Sequence, residues 1–296
     1  MTRLKNRDIK GISKQLADYD RELLDRTGHT LRGITCHALD IPEEDFQSLL
    51  GNVTIGVVPI RSGEGVIEGF SHTVKDIVKH IGFNVFVTEN TDVGGIAGAV
   101  ERGAEVVLMA DDSRFVALNV KQGRVVDNAE ATAKGFVAGL DLMVGGLKGQ
   151  TVLIIGCGPV GRNAALAALH WGAGVSVFDI ENRFSRHLAR EVEELTGKSV
   201  NVERTFEDAL RNHHLLVDAT NAAGIIVEVF ITPETYIAAP GMPLGLTPAA
   251  VKKISNRLLH DPLQLGVAVM ALEAAMPYKS NLATKAQRHK GKNVLK

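Results

Sequence analysis

The chain is poor in cysteine, has almost no net charge and contains no long apolar run. Its 296 residues include only 2 cysteines, which excludes a disulfide-stapled scaffold and leads us to expect a reducing, cytoplasmic environment. The net charge of −1 gives no general attraction to nucleic acid or acidic membranes. No uninterrupted apolar stretch approaches the length of a membrane span. We therefore expect a globular protein that binds a small molecule, without a nucleic-acid or membrane partner.

A glycine-rich turn follows a buried strand in the middle of the chain. Residues 152–155 are all apolar and predict a parallel strand, and the apolar stretch over 163–171 predicts the helix that follows. In a G-x-G-x-x-G turn, the first glycine bends the chain, the second lets a pyrophosphate approach and the third lets the helix pack on the strand. The motif predicts a dinucleotide site, and a turn kept only for packing is the alternative. Its six residues are Gly156, Cys157, Gly158, Pro159, Val160 and Gly161.

An acidic residue at the end of the next predicted strand favours NAD over NADP. The strand over 175–178 ends at Asp179, 18 residues after Gly161. A carboxylate there can accept hydrogen bonds from the adenosine ribose and would repel a 2′-phosphate. We therefore expect NAD as the cofactor, and NADP is the alternative because Arg183 and Arg186 follow closely in the sequence. Loops after later strands are also expected to contact it, through Ala219, Thr220, Pro240 and Gly241.

Strand and helix patterns alternate along the chain, which indicates an α/β fold with parallel sheets. The length suggests two domains. We predict an N-terminal α/β substrate domain over 1–142 and a Rossmann-like, doubly wound dinucleotide-binding domain over 143–260. A C-terminal helix over 261–278 is expected to return to the first domain, and the basic tail over 279–296 is predicted to be disordered.

The first part of the chain is predicted to begin with a helix over 6–24 and to continue through turns over 27–42. The helix has apolar residues at helical spacing, and we interpret it as a surface helix or a lid. A short hairpin is predicted over 116–126, between the substrate-domain strands and the helix that leads to the second domain.

Two loops of the N-terminal half carry candidate substrate-binding groups. The predicted strand over 53–60 runs into a loop with Ser62 and Gly63, whose spacing alone favours an ordinary turn over a ligand contact. The predicted strand over 105–109 is followed by Asp111 and a second carboxylate. Spacing favours a helix cap with a solvated neighbour, and the alternative is a group that binds a cationic substrate and accepts a proton.

Five segments of the chain share the pattern of one enzyme family. They are 56–65 (GVVPIRSGEG), 82–93 (GFNVFVTENTDV), 107–115 (VLMADDSRF), 240–243 (PGMP) and 261–263 (DPL). Through these segments the chain resembles the pyrrolysine synthase family, also called 3-methylornithyl-lysine dehydrogenase. The similarity extends from the first predicted helix to Met276 and is densest over 56–119.

This resemblance implies an NAD-dependent oxidation of the terminal amine of 3-methyl-D-ornithyl-lysine. Loss of ammonia gives an aldehyde, and attack by the ornithyl α-amine with loss of water closes the pyrroline ring of pyrrolysine. By position in the matching segments, Asp111 would hold and deprotonate the amine, and Ser62 would be a polar contact beside Gly63 in the substrate pocket. By the same resemblance, Leu4 would lie on an N-terminal helix that closes over the substrate.

Two other functions remain open from the sequence. One is another NAD(P)-dependent dehydrogenase with the domain order of shikimate dehydrogenases, although the lysine and aspartate pair of that family is not recognisable. The other is a non-catalytic NAD-binding regulator. Replacing Asp111 by Asn separates them, because a dehydrogenase would lose turnover and a regulator would not. The sequence does not decide whether the chain forms a homodimer.

Overall fold

The computed structural model describes residues 4–61 and 67–277. Within these ranges it has an α/β architecture on two sheets, which confirms the predicted fold class. The elements of the first half are α1 (Asn6–Ile9), α2 (Ile12–Thr27), α3 (Leu31–Ala38), α4 (Glu43–Leu49), β1 (Thr54–Val57), α5 (Phe70–His80), β2 (Asn84–Val87), α6 (Asp92–Glu101), β3 (Val106–Ala110), β4 (Phe115–Asn119), β5 (Arg124–Asp127) and α7 (Asn128–Val144).

The second half contains the elements of the other sheet and the C-terminal helix. Its elements are β6 (Thr151–Ile155), α8 (Pro159–His170), β7 (Gly174–Phe178), α9 (Asn182–Thr196), β8 (Asn201–Val202), α10 (Phe206–Asn212), β9 (Leu215–Asp218), β10 (Tyr236–Ala238), α11 (Pro248–Ile254), β11 (Leu258–Leu259) and α12 (Gln264–Ala275). The basic tail predicted over 279–296 lies outside the described residues.

The first sheet has the strand order β2-β1-β3-β4-β5. Strands β1, β2 and β3 are parallel, and Val57 of β1 is aligned with Val87 and Leu108. Strands β4 and β5 form the predicted hairpin and are antiparallel to their neighbours. The carboxyl end of β3 therefore meets the start of β4 in a tight turn, and that turn contains Asp111.

The second sheet is parallel throughout, in the order β11-β10-β9-β6-β7-β8. Strand β6 lies at the centre, with Ile154 aligned to Val177 of β7 and Val217 of β9. The chain winds one way from β6 to β8 and the other way from β9 to β11. In such sheets a crevice opens at the carboxyl ends of the strands where the winding reverses, here between β6 and β9.

Helices α7 and α12 fill the space between the two sheets. Helix α12 is buried along almost its whole length, and it packs against α7, α3 and β4. Helix α7 is rich in small residues on the contacting side: a Cβ on Gly135 would lie 3.1 Å from Val269, and a Cβ on Gly139 would overlap Leu259. The predicted return of the C-terminal helix to the first domain is this α12 contact.

Two predictions near the N-terminus are wrong. The single helix predicted over 6–24 is divided into α1 and α2, because Gly11 adopts a positive φ of 93° between them. The turns predicted over 27–42 contain helix α3, which is capped by the Thr30 hydroxyl accepting from the Gly33 N–H at 3.3 Å. Among the described residues, no helix is both long and apolar enough to cross a membrane.

Candidate functional site

The glycine turn after β6 has the geometry that a dinucleotide requires. Gly156 has a φ of 90°, which favours glycine, and a Cβ there would lie 3.1 Å from the backbone of Ala219. A Cβ on Gly161 would overlap the carbonyl oxygen of Gly156, so the third glycine lets α8 start close against the turn. Gly158 has no atom within 4 Å of an added Cβ, which leaves open space before the N-terminus of α8. This space and the free N–H groups of α8 fit a pyrophosphate.

Asp179 is fixed beside this turn. Its Oδ2 accepts a hydrogen bond from the Cys157 N–H at 2.8 Å, and its Oδ1 accepts from Glu181 N at 2.9 Å. The turn and the end of β7 are thereby held together, as a ribose bridging the two would require. Burial raises the pKa of the Cys157 thiol to about 11, so the side chain stays protonated and unreactive at neutral pH.

A cleft of about 670 Å³ opens at the glycine turn. Four of the predicted cofactor residues line it, and the other seven do not. Beyond Cys157, Gly158, Pro159 and Asp179, its lining consists of Asp127, Ala129, Glu130, Arg162, Asn163, Phe184, His187, Leu188 and Glu191. The cleft therefore lies between the start of α7, the start of α8 and one side of α9.

The ion pair of Arg162 and Glu191 crosses this cleft from α8 to α9. Glu191 Oε1 accepts hydrogen bonds from Arg162 Nε at 2.9 Å and Nη2 at 2.7 Å. The hydrogen bond with Glu191 raises the pKa of Arg162, and the same bond lowers the pKa of Glu191, so both stay charged.

The two later loops expected to contact the cofactor are joined through a buried acid. Asp218, at the end of β9, accepts through Oδ1 from the Thr220 N–H at 3.1 Å and hydroxyl at 2.8 Å. Its carbonyl oxygen accepts from Gly241 N at 2.9 Å, which brings Pro240 beside Thr220. Asp218 Oδ2 is buried beside Gly245 and makes no hydrogen bond of normal geometry within the described residues, and burial raises the pKa of this carboxyl.

Asp111 follows β3 and closes the hairpin with β4, so the predicted helix cap is wrong. Its Oδ1 accepts from the N–H groups of Ser113 and Arg114, each at 2.7 Å. The hydrogen bond from the Arg114 N–H contributes most to lowering the pKa of Asp111, and that from Ser113 follows. The side chain of Asp111 is exposed to solvent. The geometry provides a solvent-facing carboxylate that stays ionised and can bind an ammonium group.

Arg114 connects the Asp111 turn to the cleft. Its Nε and Nη2 donate to Asp127 Oδ2 at 3.2 Å and 2.9 Å. Asp127 also caps α7 by accepting from the Ala129 N–H at 3.0 Å, and it lines the cleft together with Gly158. The predicted substrate acid is thus connected through Arg114 to a residue that lines the same cleft as the glycine turn.

Of the remaining predicted substrate residues, the structure describes only Leu4. Ser62 and Gly63 lie outside the described residues. Leu4 precedes α1 and is partly buried against the hydrophobic core. The described residues contain no group of three or more metal-ligating side chains.

Sequence reasoning missed a buried contact between the N-terminal helices and the second sheet. The Tyr19 hydroxyl, on α2, donates to Asp261 Oδ2 at 2.6 Å. Burial raises the pKa of both groups. Next to it, His260 Nδ1 lies 2.7 Å from the carbonyl oxygen of Ala239 and donates to it. The segment DPL at 261–263 was a signal for this region, but no local pattern points to Tyr19.

Comparisons with known proteins relate both halves of the chain to described families. Residues 8–126 match the family model "Pyrrolysine biosynthesis protein PylD, N-terminal domain", and residues 124–235 match "Alanine dehydrogenase/PNT, C-terminal domain". The pyrrolysine synthase of Methanosarcina acetivorans is 28% identical over 91% of this chain and 98% of that protein. The pyrrolysine synthase of Methanosarcina barkeri is also 28% identical, over 89% of this chain and 94% of that protein.

Solved structures of low sequence identity share the fold. Quinate dehydrogenase from Corynebacterium glutamicum, in complex with NAD, has a TM-score of 0.54 at 15% identity, covering 81% of this chain and 99% of that one. Shikimate dehydrogenase from Aquifex aeolicus has a TM-score of 0.52 at 15% identity, covering 76% and 91%. These matches establish the arrangement of the two sheets, and the matches to curated proteins confirm the resemblance predicted from the sequence.

Proposed function

We propose that this chain, a relative of the pyrrolysine synthases over nine-tenths of its length, is an NAD-dependent dehydrogenase that forms pyrrolysine from 3-methyl-D-ornithyl-lysine. In this proposal residues 1–142 bind the substrate and residues 143–260 bind the dinucleotide. The observation that carries it is the link from Asp111 through Arg114 to Asp127, which lines the same cleft as Gly158. An acid suited to an ammonium group is therefore connected, through Arg114, to the start of α7, which borders the dinucleotide cleft.

The reaction balances without a further oxidant. The carbon that bears the terminal amine loses a hydride, and the nitrogen loses a proton, which leaves an imine on the substrate. Water converts the imine into an aldehyde and ammonia. The ornithyl α-amine then attacks the aldehyde, and the loss of one water closes the ring. NAD, when bound, supplies the acceptor for the hydride.

The residues of the chain bind and orient the substrate and exclude water from it. Asp111 holds the substrate ammonium as an anion, because two backbone N–H groups keep its pKa low. The same low pKa makes it a weak base, so its main contribution is to position the reacting carbon. The N-terminal segment that begins with Leu4 and continues into α2 covers the substrate in this proposal.

NAD is preferred to NADP in this proposal because of Asp179. Its carboxylate is held at the turn by the Cys157 N–H and is directed to where the adenosine ribose binds in such folds. A ribose hydroxyl can donate to it, whereas a 2′-phosphate would bring a second negative charge close to the first.

The test is to mix the purified protein with NAD and synthetic 3-methylornithyl-lysine and to record reduced nicotinamide and the product mass. We expect NADH to form together with a product that has lost ammonia and two hydrogens. Absence of both signals, in a preparation shown to bind NADH, would contradict this substrate. Turnover of a different amine would keep the dehydrogenase and change only its substrate.

A further inference from the structure

The ion pair of Arg162 and Glu191 lies within the dinucleotide cleft. Arg162 belongs to the first turn of α8, two residues after Val160, and Glu191 lies on α9. Both side chains line the cleft that contains Gly158, and their exposed fractions are 35% and 32%. The pair is therefore open to a ligand that enters the cleft.

The charges that line the cleft disfavour a pyrophosphate unless a cationic side chain is released from its carboxylate partner to bind it. Within the described residues, the lining carries four carboxylates, from Asp127, Glu130, Asp179 and Glu191, and one guanidinium, from Arg162. Asp127 pairs with Arg114 and Glu130 with Lys134, whereas the hydrogen bonds that Asp179 accepts come from backbone N–H groups. A pyrophosphate adds two negative charges, and the glycine turn offers only backbone N–H groups and the partial charge of a helix end. The guanidinium of Arg162 is the cation best suited to offset this repulsion, and in the structure it is engaged by Glu191.

The geometry of α8 directs Arg162 to the phosphate end of the helix. Side chains of a helix lean toward its N-terminus, which favours an approach of Arg162 to Pro159 and Gly158, with which it lines the cleft. Arg162 uses Nε and Nη2 on a single oxygen of Glu191, and its Nη1 lies 3.3 Å from Asn163 Oδ1. The same planar set of donors matches phosphate oxygens.

We propose that Arg162 exchanges Glu191 for the pyrophosphate of the dinucleotide, so that Glu191 is an internal competitor that limits the affinity for the cofactor. The inference rests on dinucleotide binding at this cleft and does not depend on the substrate. When the cofactor leaves, Glu191 regains the guanidinium, which favours release.

The experiment measures the dissociation constant of NADH, by nicotinamide fluorescence, for the full chain and three variants. Arg162→Gln should weaken binding by about tenfold, because a charge-assisted contact to phosphate is lost. Glu191→Gln should tighten binding several-fold, because Arg162 is released from its competitor. The double variant should bind like Arg162→Gln, because Glu191 then has no guanidinium to compete for.

The opposite changes in NADH affinity expected for the two single variants distinguish competition for Arg162 from a purely structural contact. If the pair only holds α8 against α9, both single variants will weaken binding together or leave it unchanged, and the proposal is overturned. Glu105→Gln is the matched control, since Glu105 pairs with Lys121 at 2.9 Å on the first sheet, away from the cleft. Tightening by Glu105→Gln equal to that of Glu191→Gln would indicate a general charge effect and would also overturn the proposal.

Failure of this inference is distinguishable from failure of the proposed function. If the unchanged protein binds no NADH, both are wrong. If it binds NADH and Glu191→Gln does not bind it more tightly, only the exchange at Arg162 is wrong.

Discussion

The Tyr19 hydroxyl donates a 2.6 Å hydrogen bond to Asp261, although 242 positions separate the two residues in the chain. Asp261 also accepts from Leu263 N at 2.9 Å through its other oxygen, at the start of α12. The contact therefore joins α2 to the segment between β11 and α12. It fixes the N-terminal helices, which the proposed function uses as a cover, to the edge of the second sheet.

Replacing Tyr19 by Phe should lower the free energy of unfolding by about 1–3 kcal/mol, because it leaves Asp261 Oδ2 buried without its donor. Urea unfolding measures this change. Tyr236→Phe is the matched control, since the hydroxyl of Tyr236 makes no hydrogen bond within the described residues. Equal midpoints for Tyr19→Phe and the unchanged protein would show that the buried contact contributes nothing.

Asp111→Asn should lower kcat/KM for the proposed substrate by about a hundredfold. The substitution removes the negative charge that holds the ammonium group, while the affinity for NADH should stay the same because Asp111 lies in the turn after β3 and does not line the dinucleotide cleft. Asp112→Asn, at the adjacent position, provides the comparison. Loss of NADH affinity in Asp111→Asn would mean that the residue supports the cofactor site instead.

The pH dependence of kcat/KM offers a second test of Asp111. Hydrogen bonds from Arg114 and Ser113 lower its folded pKa, so the carboxylate remains charged at every pH above the ordinary Asp value of about 3.9. Activity that depends on this charge is present above that value and is lost only as the pH falls through the lowered pKa. A fall in kcat/KM at mildly acidic pH that persists in Asp111→Asn would belong to another group.

Alanine at two glycines of the turn should have different effects. Gly158→Ala adds a methyl group in open space, so the fold should be retained while NADH binding weakens by about tenfold or more. Gly161→Ala would overlap the Gly156 carbonyl, so the protein should also unfold at a lower temperature. Thermal unfolding and NADH titration of both variants make the comparison. Normal NADH affinity in Gly158→Ala would show that no phosphate binds at this turn.

Asp179→Asn should reduce the preference for NADH over NADPH by about tenfold. The amide keeps an acceptor for the Cys157 N–H but removes the charge that repels a 2′-phosphate. Dissociation constants for both dinucleotides measure the ratio. An unchanged ratio would mean that another group selects the cofactor.

Asp218→Asn should flatten the dependence of stability on pH. Burial raises the folded pKa of Asp218 above the unfolded value of about 3.9, so its contribution is fully present below that value and is lost as the pH rises through the folded pKa. Asparagine carries no such proton and can still accept from Thr220. Unfolding free energies measured from mildly acidic to neutral pH test this, with exposed Asp25→Asn as the control.

The sequence was most informative where chemistry depends on local spacing. The glycine turn, the strands on either side of it and Asp179 could be predicted because glycine conformation and strand length act over a few neighbouring residues. The helix α3 could not, because Gly28 and Gly33 make this short segment resemble a turn and its formation depends on burying Leu31 and Ile34 against distant elements.

The features of the site that could not be predicted from the sequence depend on long-range contacts. The acid Asp218 was evident only as the last residue of a strand, and nothing near it in sequence indicates Gly245 as its neighbour. The two carboxylates after β3 suggested a helix cap, because a hairpin turn and a helix start favour the same residue types. Arg162 and Glu191 are 29 positions apart and meet only because α8 and α9 pack side by side.

The position of α12 has a consequence for synthesis on the ribosome. This helix packs on the first sheet and on α7, yet its last residue, Ala275, is translated long after β5. The part of the first sheet that α12 contacts, over β3, β4 and β5, therefore lacks this helix while the whole second sheet is made. We expect the second sheet to acquire structure first, and a nascent chain released before Ala275 to be recognised by chaperones or proteases.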